Sequence, residues 1–131
     1  AGNYVTAMVV GNAVRTSGTL PLRDGAFVSE GQAGTIAVTL EKAQEAAVQC
    51  VLNALSAAAQ AAGGIDRLAS VLKVTGFISS TSDFFAQPKV MDVPSKMLED
   101  IFGSKHTRSA VGVAALPGNA TVEVEIEFAL A

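Results

Sequence analysis

The segment TVEVEIEFAL, residues 121–130, constrains the fold more than any other part of this 131-residue chain. Apolar and acidic residues alternate in it without a break, which is the period of a half-buried β-strand. Successive side chains of a strand point to opposite faces of its sheet. Val122, Val124, Ile126 and Phe128 therefore share one face, and Glu123, Glu125 and Glu127 share the other. The apolar face needs a second layer to cover it.

The rest of the chain predicts helices for that layer. Thr39 stands at an N-cap position, and Glu41 and Glu45 lie near the positive end of the helix dipole. Val48, Val51, Leu52, Leu55, Ala59 and Ala62 form an apolar stripe at helical spacing. Ala46, Cys50, Ala54 and Ala57 form a flank of small residues that lets the helix approach a sheet closely, and Gly63-Gly64 is its stop. Upstream, YVTAMVV, the turn pair Gly11-Asn12 and AVRTSGTLPL read as a hairpin. Asp24-Gly25 reads as a turn before a short AFV strand, and residues 30–38 as loop.

Downstream, ASVLKVTGFIS is rich in β-branched residues and reads as a strand. TSDFF supplies a helix start at Thr81 or Ser82. Pro88 and Pro94 then predict a broken helix reaching Phe102, with Gly103 as its stop. KHTRSAVGVAALP is a further strand, and the turn at Pro117-Gly118-Asn119 predicts that the last two strands are neighbours. The order ββ(β)αβαββ predicts an α+β fold, with helices on one face of a mixed sheet, forming a single domain over residues 1–131.

A sheet covered on one side has another face to hide. Half of the chain is apolar and only 16% is charged, against about a quarter in ordinary domains. With a mean hydropathy of +0.41, this predicts surface buried between copies of the chain. A well-filled, alanine-rich monomer is the alternative. A net charge of −3 and scattered Lys and Arg residues argue against nucleic acid as a partner. Cys50 is the single cysteine and His106 the single histidine. An intrachain disulfide, a thiolate metal site and a His-pair metal centre are thus excluded, no metal or cofactor is expected, and a reduced, cytoplasmic setting fits. No apolar run reaches the roughly 18 residues of a membrane span. The opening AGNYVTAMVV, without Met or a basic segment, is expected to be neither a signal peptide nor the true start of the chain.

Read as a strand, residues 105–117 place Arg108 on one face with Ala110, Gly112 and Ala114, a permanent charge beside a trough of small residues. A guanidinium suits bidentate contact with a carboxylate, and the trough leaves room for a ligand. If the last two strands are neighbours, Glu123, Glu125 and Glu127 fall near it, and a carboxylate handling protons beside the arginine makes a small site for a carboxylic acid. The competing reading is structural: a solvated Arg108, or one paired with Glu127 across a hairpin. His106 has no partner in sequence and reads as a surface residue.

The succession GNYV, GN, TSG and LP, then a helix, a strand and RSAVGVAALP with VEVEIE, resembles the YjgF or reactive-intermediate deaminase (Rid) family, once also called liver perchloric-acid-soluble proteins. The resemblance covers nearly the whole chain. It implies a chorismate-mutase-like α+β fold, a homotrimer, and ligand sites in clefts between subunits. It also implies hydrolysis of 2-aminoacrylate-type enamines, or their imine tautomers, to 2-keto acids and ammonia. By resemblance, Arg108 grips the substrate carboxylate and Glu123 positions and activates water. Tyr4, Ser17 and Gly18 line the cleft, and the backbone of Ala110 contacts the substrate nitrogen. The chain departs from the family pattern where Ala110 replaces a usual cysteine and Gly112 an acidic or polar residue. Asp92 or Ser95 stands nearest the place of a cleft asparagine. Two functions follow, an enamine/imine deaminase or a non-catalytic trimer that binds a small carboxylate as sensor or carrier. Ribonuclease activity, attributed to relatives, fits poorly with net negative charge and one histidine.

Overall fold

Five strands form the mixed sheet of the computed structural model, which describes residues 2–131. Strands β1 (Ala7–Val10) and β2 (Ala13–Thr16) make the expected hairpin about Gly11-Asn12. The short pair β3 (Leu22–Arg23) and β4 (Ala26–Phe27) turns at Asp24-Gly25. Helix α1 (Leu40–Ala62), strand β5 (Leu68–Ser79), helix α2 (Gln87–Phe102), strand β6 (Thr107–Val113) and strand β7 (Val122–Leu130) follow. The main sheet has the order β1-β2-β7-β5-β6, antiparallel throughout except for the parallel pair β5–β6.

This order corrects one expectation. The turn at 117–119 does not make β6 and β7 neighbours: β7 lies between β2 and β5, and β6 lies outside β5. A short turn fixes where a chain reverses, not which strand it joins. Here β5, α2 and β6 form a strand–helix–strand crossover, whose strands pair in parallel.

Both helices cover the face formed by Val122, Val124, Ile126 and Phe128, all of them buried. Thr39 caps α1 by accepting the Lys42 N–H at 3.1 Å, and Gly63, in the left-handed conformation, ends it with its N–H on the Ala59 carbonyl. The buried face of α1 is not the expected stripe but the small-residue flank beside it: Ala43, Ala46, Ala47, Cys50, Ala54 and Ala58, with Val51 and Leu55. Leu52 is 43% exposed. Alanines bring the helix axis closer to the sheet than leucines can, so they take the centre.

Helix α2 also departs from expectation. It starts at Gln87, not at Thr81 or Ser82, because the Thr81 hydroxyl bonds the Asp83 carboxylate within a turn. It then runs unbroken through Pro94, which is buried, at the loss of one N–H in the helical ladder. Asp92 is thus inside the helix.

Candidate functional site

Arg108 sits on β6, and register fixes the direction of its side chain. It aligns with Val74 on β5 and, across that strand, with Ile126 on β7. Val74 and Ile126 are buried against the helices, so Arg108 points to the helix side. There its Nη1 donates to Asp92 Oδ1 at 3.0 Å and to Ser95 Oγ at 3.1 Å, both on α2. The Arg108 side chain is only 22% exposed, whereas that of Asp92 is 66% exposed. An ion pair with one partner so open to water is worth about 0–1 kcal/mol. It orients the guanidinium without locking it.

His106, expected on the surface without a partner, is half-buried and bonded to the same hydroxyl, with Nε2 at 3.0 Å from Ser95 Oγ. Its Nδ1 is buried with no partner. Burial, and then the charge of Arg108, holds the imidazole below its ordinary pKa, with Glu99 pulling weakly the other way. His106 and Ser95 therefore brace Arg108 from behind. Sequence spacing hid this cluster, since its members come from α2, β6 and the turn between them.

The trough has a structural occupant. A Cβ on Gly112 would come within 2.7 Å of both Gln87 Nε2 and Ser80 Oγ, and Ala110 packs against the core under α2. The small residues of this face let α2 settle on the sheet at Ala110, while at Gly112 and Ala114 the trough opens into a hollow of about 500 Å³ that Ser80, Phe84 and Gln87 also line. At its other end stands the partly exposed Arg108.

Glu123 lies elsewhere. It aligns with Phe77 and through it with Val111, on the face that carries no helix. Two strand spacings and a three-residue offset put its Cα about 14 Å from that of Arg108, with the two side chains on opposite faces. The acidic residues of β7 thus do not surround Arg108 within one protomer. Glu127 pairs instead with Arg15 at 3.6 Å, so Arg108 is not its partner.

Glu123 has its own neighbours. Its carboxylate occupies the space beside Gly18, where an added Cβ would collide with it. Burial, and then Glu125, raises its carboxyl above the ordinary value. Ser17 is fixed by donating from Oγ to the Val5 carbonyl at 2.6 Å and from its N–H to the Thr6 carbonyl at 2.9 Å. Tyr4, 62% exposed, shares with Ser17 a hollow of about 310 Å³ that Met8 and Arg15 also line. The structure thus divides the candidate residues into two groups, Tyr4, Ser17, Gly18 and Glu123 in one, and Arg108 with Ala110 in the other. Cys50 is fully buried, and burial, with Glu123 next, pushes its thiol far up, so it is no nucleophile.

Among the described residues, no group of three His, Cys, Asp or Glu side chains is placed to hold a metal ion, and no helix is long and apolar enough to cross a membrane.

Comparison with known proteins agrees with this architecture. The family model for Endoribonuclease L-PSP matches residues 1–130. Protein TCP17 of Trypanosoma cruzi is 37% identical over 128 residues, 95% of this chain and 79% of that protein. A 2-iminobutanoate/2-iminopropanoate deaminase of Dermatophagoides farinae is 34% identical over 124 residues, 95% of this chain and 83% of that protein. The crystal structure of Atu1372, a protein of unknown function from Agrobacterium tumefaciens, superposes with a TM-score of 0.94 at 34% identity, covering 100% of this chain and 85% of that one. The chain belongs to the Endoribonuclease L-PSP family, also called the YjgF family, and has its fold of two helices on a mixed sheet.

Proposed function

We propose that this chain hydrolyses reactive 2-enamine or 2-imine carboxylates to 2-keto acids and ammonia, in clefts between the protomers of a homotrimer. Arg108 holds the substrate carboxylate, and Glu123 of a neighbouring protomer positions and activates the water. Tyr4, Ser17 and Gly18 line the Glu123 side of the cleft, and the Ala110 backbone meets the substrate nitrogen. The observation that carries this reading is the separation of Arg108 from Glu123. No three- or four-carbon acid spans about 14 Å and the thickness of a sheet, so a site using both residues needs two copies of the chain. The helix-free face, with Met8 and Val111 exposed beside charged side chains, is the surface such an assembly would cover. Family membership and the 34% identical deaminase support the chemistry. The substrate hydrolyses readily by itself, so orientation and one placed water are sufficient catalysis.

The non-catalytic reading, a trimer that binds a small carboxylate, is favoured by Ala110 and by the Asp92 carboxylate already resting on Arg108. Keto-acid release from freshly generated 2-aminoacrylate separates the two, measured with the mass in solution for wild type and Arg108→Ala. The deaminase reading expects acceleration by wild type and a loss of about a hundredfold or more in the variant, at unchanged mass. Equal rates in both proteins would sink it. Binding without turnover would leave the carrier reading.

A further inference from the structure

Arg108 uses one nitrogen for both of its internal contacts. Nη1 donates to Asp92 and to Ser95, while Nε and Nη2 make no hydrogen bond among the described residues, and neither is buried without a partner. That free pair is one edge of the guanidinium fork, the edge that takes a carboxylate through two parallel hydrogen bonds. Asp92 is likewise half engaged, through Oδ1 alone, and most of its side chain faces solvent.

We infer that Arg108 and Asp92 together form a two-charge recognition site that selects zwitterions, carboxylates bearing a positively charged nitrogen one carbon away, over simple carboxylates. The inference rests on Arg108 being the carboxylate anchor. An anion seated on Nε and Nη2 comes alongside Asp92, and two carboxylates about one guanidinium repel. A ligand with a cationic nitrogen next to its carboxylate turns that repulsion into attraction. An α-iminium acid has this pattern, and so does an α-amino acid. A 2-keto acid does not.

The consequence is discrimination between substrate and product at one anchor. Hydrolysis converts R–C(=NH2+)–COO− and H2O into R–C(=O)–COO− and NH4+, with atoms and charge conserved. The step removes the charge that Asp92 attracts, and the keto acid is left facing it. An arginine without Asp92 would hold both equally well. Ser95, which keeps its bond to Nη1 independently of Asp92, makes Asp92→Asn a clean probe.

The test titrates wild type, Asp92→Asn and Arg108→Ala at neutral pH with two stable probes of the same carbon skeleton, L-alanine and pyruvate, following protein chemical shifts. Wild type is expected to prefer L-alanine. In Asp92→Asn, L-alanine should bind less tightly and pyruvate more tightly, the preference falling about fivefold. Arg108→Ala should weaken both. An unchanged preference in Asp92→Asn overturns the inference while leaving the anchor in place. So does equal tightening of both probes, which would make Asp92 a plug. Undiminished binding of both probes to Arg108→Ala, or no binding of either to wild type, removes the anchor and the inference with it.

Discussion

Glu123 holds its carboxylate in the space that a side chain at position 18 would need. A Cβ built on Gly18 runs into its carboxylate and side-chain carbons. The backbone at Gly18 is ordinary, so crowding by Glu123 is what demands glycine there. Conversely, Gly18 sets where the carboxylate sits.

Gly18→Ala should therefore displace Glu123 and lower turnover about tenfold, with melting temperature and solution mass little changed. Because burial and Glu125 raise the Glu123 carboxyl above 4.5, activity that needs the ionised form should fall as pH drops through a value higher than that. The limb should vanish from the residual activity of Glu123→Gln. A limb that persists in Glu123→Gln would assign the titration to another group.

His106 gives stability its own pH dependence. Its folded-state pKa lies below 6.5, chiefly through burial. The folded state thus binds its proton less readily than the unfolded chain, and protonation favours unfolding. At pH above 6.5 the effect is absent. It grows as pH falls from 6.5 through the lowered folded value, and is complete below it. Melting curves across that window should show wild type losing stability on acidification, and His106→Asn losing less. Parallel curves for the two proteins would show that His106 does not carry the slope.

Gly76, on β5 beneath α2, has Met91 in the place of a side chain. Met91 Sδ lies 2.5 Å from where a Cβ would stand, and Met91 itself is fully buried. The thioether is flexible, but it has no exposed volume to move into. Gly76→Ala should cost about 1–3 kcal/mol by denaturant titration. Shortening Met91 at the same time should recover part of it, since the two sites share one space. An unchanged midpoint in the single variant would mean that α2 shifts freely over the sheet.

Local signals in the sequence agree with the structure. Thr39 caps α1, Gly63 ends it, and the alternation in TVEVEIEFAL sorts Val122 to Phe128 under the helices. Non-local choices are not legible from adjacent residues. The turn at 117–119 suggests a β6–β7 hairpin, yet the strand–helix–strand order of residues 68–113 already holds the signal for parallel β5–β6 pairing. The alanine face of α1 prevails over the leucine-bearing stripe because interlayer distance, which no periodicity encodes, favours small residues. Arg108 stands out as a charge beside small residues, but its partners do not. Asp92 and Ser95 lie 16 and 13 residues earlier on another element, and only the docking of α2 brings them to it.

Strand β7 is the last element in sequence and the middle of the sheet. Until it arrives, the β1–β2 hairpin and the β5–β6 pair have no edge in common, and the hydrophobic faces that α1 and α2 must cover belong to two separate ribbons. A growing chain therefore cannot assemble this sheet progressively. It closes two incomplete halves with one insertion, so the most non-local pairings of the sheet all wait on a single strand.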